Sequence, residues 1–144
     1  NILRIMVYID IKTVSYNELK NLKASEVLQF EESINENIDK QKLINKMFLR
    51  IMCRDTFQIN AYKDNIGNIH LLNGQDEFHV IADLINENIC IKDFIGSFKQ
   101  FNNISYSHWQ TYSQKLIKIT PVFELHILEC PSDEEKQFYL NMLK

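Results

Sequence analysis

Asn73-Gly74-Gln75-Asp76-Glu77 stands where a strand-like run, Ile69 to Leu72, gives way to a helix-like run, Phe78 to Asn86. A glycine at such a switch lets the backbone come close to another group. The first turn of the new helix offers N–H groups that suit an anion. Asn73, Gln75 and Asp76 are the candidate catalytic positions, since amides and carboxylates at a turn can orient or accept a proton. Asn73, Gly74, Gln75 and Glu77 are the candidate ligand-binding positions.

A second constellation is basic. Lys42, Lys46, Arg50 and Arg54 recur every four residues and form one drifting stripe on a predicted helix. They are the candidate nucleic-acid contacts. Net charge is negative and no aromatic ladder accompanies them, so the stripe reads first as a solvated helix face. His70, His79, His108 and His126 lack metal-ligand spacing, and no metal site is expected. Gln29, Phe30, Glu31 and Glu32 could form an acidic corner with Asp76 and Glu77 if the fold joins them, although exposed charge is the plainer expectation. Tyr106, Trp109 and Tyr112 lie at helical spacing and read as packing residues. No phosphate-binding loop, dinucleotide fingerprint or nucleophile elbow occurs.

The chain's 144 residues suit one domain, and its apolar content of 45% allows a true core. Three glycines and two prolines leave little room for long linkers. Net charge is −3 and the sequence pI is about 5.8, so a basic field over the whole molecule is excluded. Cys53, Cys90 and Cys130 are widely spaced and odd in number, which favours free, mostly buried thiols in a reducing, cytoplasmic setting. No run approaches the roughly 18 apolar residues of a membrane span. Arg4 interrupts the apolar start, and no cleavage pattern follows it.

The elements that must hold these residues can be read from periodicity. Ile2 to Ile11 is rich in β-branched residues and predicts a strand or extended arm. Ser15 and Glu18 have capping-box spacing for a short helix to about Leu22, and Val27 to Phe30 predicts a brief strand. Leu43, Ile44, Met47, Phe48 and Ile51 form the core stripe of a helix from about Asp39. Phe57 to Tyr62 alternates, Asp64 to Asn68 is turn chemistry, and Ile69 to Leu72 closes a hairpin. A short strand is expected at Ile89 to Ile91, a polar loop at Asn102 to Ser107, a helix at Trp109 to Leu116 and a strand from Val122. A last helix follows Pro131. It is still apolar at Lys144, so the domain is expected to be cut there.

This order of helix, hairpin, Asn-Gly-Gln, helix, strand and helix resembles the N-terminal domain of GmrSD-type restriction proteins, in the ParB/sulfiredoxin-like superfamily. The family hallmark is a strand ending in Asp-Gly-Gln-Gln-Arg before a helix; Asn73-Gly74-Gln75-Asp76-Glu77, then Phe78 and Ile81, hold that place here. Leu43-Ile44-Asn45-Lys46-Met47-Phe48 resembles the family's Leu-Ile-x-Ser-Ile-Leu helix, and Val122 to Leu143 resembles its closing strand and helix. The likeness covers about residues 14 to 144. It implies an α+β fold, a small mixed sheet flanked by helices. For active members it implies binding and hydrolysis of nucleoside triphosphate with Mg²⁺, coupled to DNA restriction.

The departures fall on the chemistry. The hallmark Asp is Asn73, and the Gln-Arg pair is Asp76-Glu77. The family's Phe-Gln-Arg is Gln29-Phe30-Glu31-Glu32, and its Pro-x-Pro step is Met52-Cys53-Arg54. Phosphate recognition favours Arg for its planar fork. A carboxylate about 5 Å from a phosphate charge costs on the order of 3 kcal/mol at an effective dielectric near 20. The expectation is a diverged, non-catalytic binding or regulatory domain linked to restriction, phage defence or viral DNA processing, with a protein or nucleic acid as partner and no membrane. Two alternatives are an active triphosphatase that recruits Arg50 or Arg54, and a nucleic-acid-binding domain. A basic side chain against Gly74 and Gln75 would favour the enzyme; an uncompensated acidic corner would favour the binding module.

Overall fold

The computed structural model describes residues 9–31, 33–129 and 131–142. β1 (Ile9–Val14) is followed by α1 (Tyr16–Ala24), β2 (Leu28–Phe30), α2 (Lys40–Met52), β3 (Phe57–Lys63) and β4 (Ile69–Leu71). α3 (Gln75–Ile85) comes next, then 3₁₀ turns at Gly96–Phe101 and Tyr106–His108, α4 (Thr111–Ile119), β5 (Phe123–Glu129) and α5 (Asp133–Met142). The fold is α+β.

Local chemistry sets most boundaries. Ser15 closes a capping box: the Glu18 N–H donates to Ser15 Oγ at 3.1 Å, and the Ser15 N–H donates to Glu18 Oε1 at 3.2 Å. Asp39 caps α2 by accepting from the Lys42 N–H at 3.0 Å. Asp64 Oδ1 accepts from the N–H groups of Ile66, Gly67 and Asn68 and so builds the turn between β3 and β4.

The strands lie in the order β1-β5-β3-β4-β2. β1 and β5 are antiparallel, as are β3 and β4; β3 with β5 and β2 with β4 are parallel. Ile59, Ala61, Leu71, Leu125 and Ile127 face one large core shared with Leu19, Phe48, Ile81, Leu84 and Ile117 of helices α1 to α4. The opposite face is more polar. There Tyr139 and Leu140 of α5 pack on Tyr62, Leu72 and Leu128.

Several elements depart from the periodicity. Residues 1–8, most of the apolar start, lie outside the described residues, and β1 runs on to Val14. Ile89 to Ile91 is not a strand. Ile91 is fully buried, but the carbonyls of Cys90 and Lys92 accept from the side-chain amides of Gln41 and Asn45 on α2. Side chains thus satisfy a backbone that alternation alone would assign to a ladder. α3 starts a turn earlier than the apolar pattern, at Gln75. α4 starts later than expected, at Thr111, because Tyr106 and Trp109 are buried ahead of it and Gln114 Nε2 donates back to the Trp109 carbonyl at 3.0 Å. Tyr112 is mostly exposed and so packs no core. Cys53 is exposed at the end of α2, not buried, and Cys90 is half-buried; both are free, and Cys130 lies outside the described residues. Among the described residues, no helix is long and apolar enough to cross a membrane.

Candidate functional site

The corner at residues 73–77 joins β4 to α3 beside β3. Asn73 Oδ1 accepts the Asn60 N–H at 2.7 Å and lies 3.4 Å from Asn60 Nδ2. The side chain thereby extends the β3–β4 ladder one step past its last strand residue. Gly74 is the N-cap of α3, at φ +93°, and no side chain caps the helix. A Cβ there would lie 2.5 Å from Ile59 Cγ2. The close neighbour of this glycine is therefore the β3 core.

Gln75 and Glu77 form the inner side of the first turn of α3. Gln75 is 8% exposed, and its Oε1 has no hydrogen-bond partner among the described residues. Glu77 Oε2 is likewise buried without one. Burial, then the neighbouring Asp76 carboxylate, push Glu77 above the ordinary carboxylate range; its own backbone N–H and Lys46 pull weakly the other way. Asp76 faces another way, where its Oδ1 accepts the Asn35 N–H at 3.0 Å and ties the 33–39 loop to α3.

The basic stripe is partly consumed by structure. Arg50 donates to Asp55 at 3.1 Å and to the Thr56 carbonyl at 3.0 Å, and its guanidinium lies over the Phe57 ring. Arg54 is exposed beyond the end of α2 at φ +53°. Lys42 and Lys46 are exposed, and only Lys46 is close enough to act on Glu77.

The acidic corner does not assemble. Glu31 Oε1 accepts the Tyr62 hydroxyl at 2.8 Å and sits 2.6 Å from His70 Nδ1, off the axis of a hydrogen bond. It has no such contact with Asp76 or Glu77. Gln29 is exposed, Phe30 packs edge-on against Phe78, and Glu32 lies outside the described residues. Among the described residues, no group of three or more His, Cys, Asp or Glu is placed to hold a metal.

Two clusters escaped the sequence. His70 stacks on Tyr62 with ring centroids 4.5 Å apart, and its Nε2 lies 2.9 Å from Asp64 Oδ2. Lys136 of α5 covers the Tyr62 ring at 4.7 Å. Asn60 Oδ1 accepts from Gln58 Nε2 at 3.1 Å and from the Tyr139 hydroxyl at 3.2 Å. The period of two on β3 and β4 does place Gln58, Asn60, Tyr62 and His70 on one face. No pattern marks Glu31, Lys136 and Tyr139 as their partners. His126 pairs with Glu124 at 3.0 Å, while His79 packs edge-on against Phe30 and Phe78, where burial, then Lys23, holds it below the usual imidazole range.

Glu77→Met should raise the unfolding free energy near neutral pH by about 1 kcal/mol, because it removes a buried oxygen without a partner at some loss of helix-dipole attraction. The pH dependence has a definite sign. The folded pKa lies above the ordinary value of 4.5, so the folded state holds the proton more tightly. Wild-type stability therefore falls as pH rises from the unfolded value through the folded one, and the penalty is complete above it. Urea unfolding of both chains across this window checks both statements; the variant should lose that part of the slope.

No protein-family model, curated protein or solved structure matches the chain.

Proposed function

We propose that this chain is a binding or regulatory module of the restriction-type lineage that does not hydrolyse nucleoside triphosphate. The observation that carries this reading is half-buried Glu77 in the first turn of α3, whose Oε2 is buried without a hydrogen-bond partner and has no cation in direct contact among the described residues. A triphosphate brought there would meet that charge and Asp76. Asn73 Oδ1 and Asp76 Oδ1 already accept the Asn60 and Asn35 N–H groups, which ties both to the scaffold. Of the two arginines that could replace a lost cation, Arg50 is held by Asp55 and the Thr56 carbonyl, and Arg54 stands exposed beyond the end of α2. In a restriction, phage-defence or viral DNA-processing system, such a domain would hold a partner and leave cleavage to another unit. A protein partner fits better than nucleic acid, because only part of the basic stripe is left unengaged.

The test is titration calorimetry with ATP, with and without Mg²⁺, and a phosphate-release assay on the same protein. No saturable binding at micromolar nucleotide and no release are expected. Micromolar binding with turnover overturns the proposal.

A further inference from the structure

We propose that β1 is a self-association edge, and that a second copy of this chain pairs with it antiparallel about a two-fold axis at Ile11. Among the described residues, β1 has a strand partner on one side only, β5. Its other edge offers backbone donors and acceptors over six residues, Ile-Asp-Ile-Lys-Thr-Val, with no proline to block them. Ile9 and Ile11 are 46% and 55% exposed, on the face they share with Leu128 and His126 across the ladder.

The strand's own sequence selects the register. In an antiparallel ladder, both residues of a facing pair turn their N–H and C=O groups the same way, toward each other or away. A two-fold axis must therefore pass through a residue and not between two. At Asp10 it would set that carboxylate against its own copy; at Lys12 it would do the same to the ammonium. At Ile11 it sets Asp10 against Lys12 of the other copy, twice, with Ile11 against Ile11 and Ile9 against Thr13. Like charges directly opposite destabilise a sheet and opposite charges support it. Within one chain Asp10 and Lys12 lie on the same face of β1, 3.7 Å apart, so the seam would carry a ring of four alternating charges. An apolar groove of about 420 Å³, lined by Ile9, Leu128, Phe138 and Tyr139 among others, adjoins this seam on the isoleucine side. The pairing rests on β1 alone, and a failed nucleotide reading would leave it standing.

Sedimentation velocity on the full chain should show a dimer at submillimolar concentration. Asp10→Lys and Lys12→Asp should each weaken it by roughly tenfold, since each sets two like-charged pairs across the seam. An equimolar mixture of these two variants should form a heterodimer of wild-type strength. The double variant Asp10→Lys/Lys12→Asp should recover the homodimer. All the affected side chains are exposed or half-exposed, and unchanged thermal unfolding at low concentration shows that each variant folds. A wild-type chain that stays monomeric overturns the proposal. So does a dimer indifferent to the charge pattern, which would place the contact elsewhere.

Discussion

Gly74→Ala should lower the unfolding free energy by about 3 kcal/mol, from two separable sources. The first is backbone strain. At φ +93° an L side chain meets the left-handed penalty of roughly 1–2 kcal/mol. The second is collision. The new Cβ would sit 2.5 Å from Ile59 Cγ2 and 3.0 Å from Ile59 Cβ, in a part of β3 where Ile59 is fully buried and cannot swing away. Overpacking of this kind costs about 1–3 kcal/mol. Gly67 supplies the control. It stands at φ +103°, and a Cβ added there would meet nothing within 4 Å, so Gly67→Ala should show the strain cost alone. A double-mutant cycle with Ile59→Ala isolates the collision, because removing Cγ2 should make the Gly74 substitution cheaper. Equilibrium urea unfolding measures all of these. If Gly74→Ala leaves stability intact and instead abolishes binding of a ligand, the glycine serves an approaching ligand and not the β3 contact.

Phe48→Ala should cost about 3–5 kcal/mol, within the range for a fully buried aromatic. Phe48 projects from α2 with no exposed surface. Its ring meets Phe94, Phe98, Phe101 and Trp109 edge-on, at centroid distances of 5.3, 5.5, 5.1 and 5.7 Å. Those four partners lie on the stretch between α3 and α4, whose only regular pieces are two short 3₁₀ turns. Such turns hold little by themselves, so this stretch draws much of its anchorage from this ring, beside the Gln41 and Asn45 amides and buried Ile91. The loss should be local as well as global. The single tryptophan, Trp109, should shift its emission to the red in the variant under native conditions, before any unfolding transition. Retained emission with a loss near 1 kcal/mol would show that the surrounding aromatics close over the gap.

Where the chain's chemistry is local, the sequence was legible. The capping box at Ser15 needs only residues three apart and is found where the spacing placed it, and the helix expected from about Asp39 begins at Lys40. The Asp64 turn and the hairpin it closes likewise follow from adjacent residues. Legibility ends where a backbone group finds its partner far along the chain. Ile89 to Ile91 has strand composition, yet amides from α2, more than forty residues earlier, take the Cys90 and Lys92 carbonyls, and the Asn103 N–H takes that of Ile91. The apolar pattern cannot register Gln75 at the start of α3, because a buried polar residue breaks it.

By itself, the sequence determined the mixture of helices and strands, the helix that carries the core stripe and the turn at Asn73-Gly74, since each rests on periodicity or on the conformational freedom of one residue; the α+β class was what the family resemblance implied. Only the tertiary structure decided what that turn approaches. Asn73 and Gly74 look outward on paper, but the sheet brings Asn60 and Ile59 of β3 against them, thirteen and fifteen residues back in the chain. The same packing half-buries Glu77 and leaves its Oε2 without a hydrogen-bond partner, so the helix start already holds a desolvated carboxyl where an anion would sit. The reason is physical: a side chain's type is local, whereas its desolvation and its partners depend on which elements the core draws together.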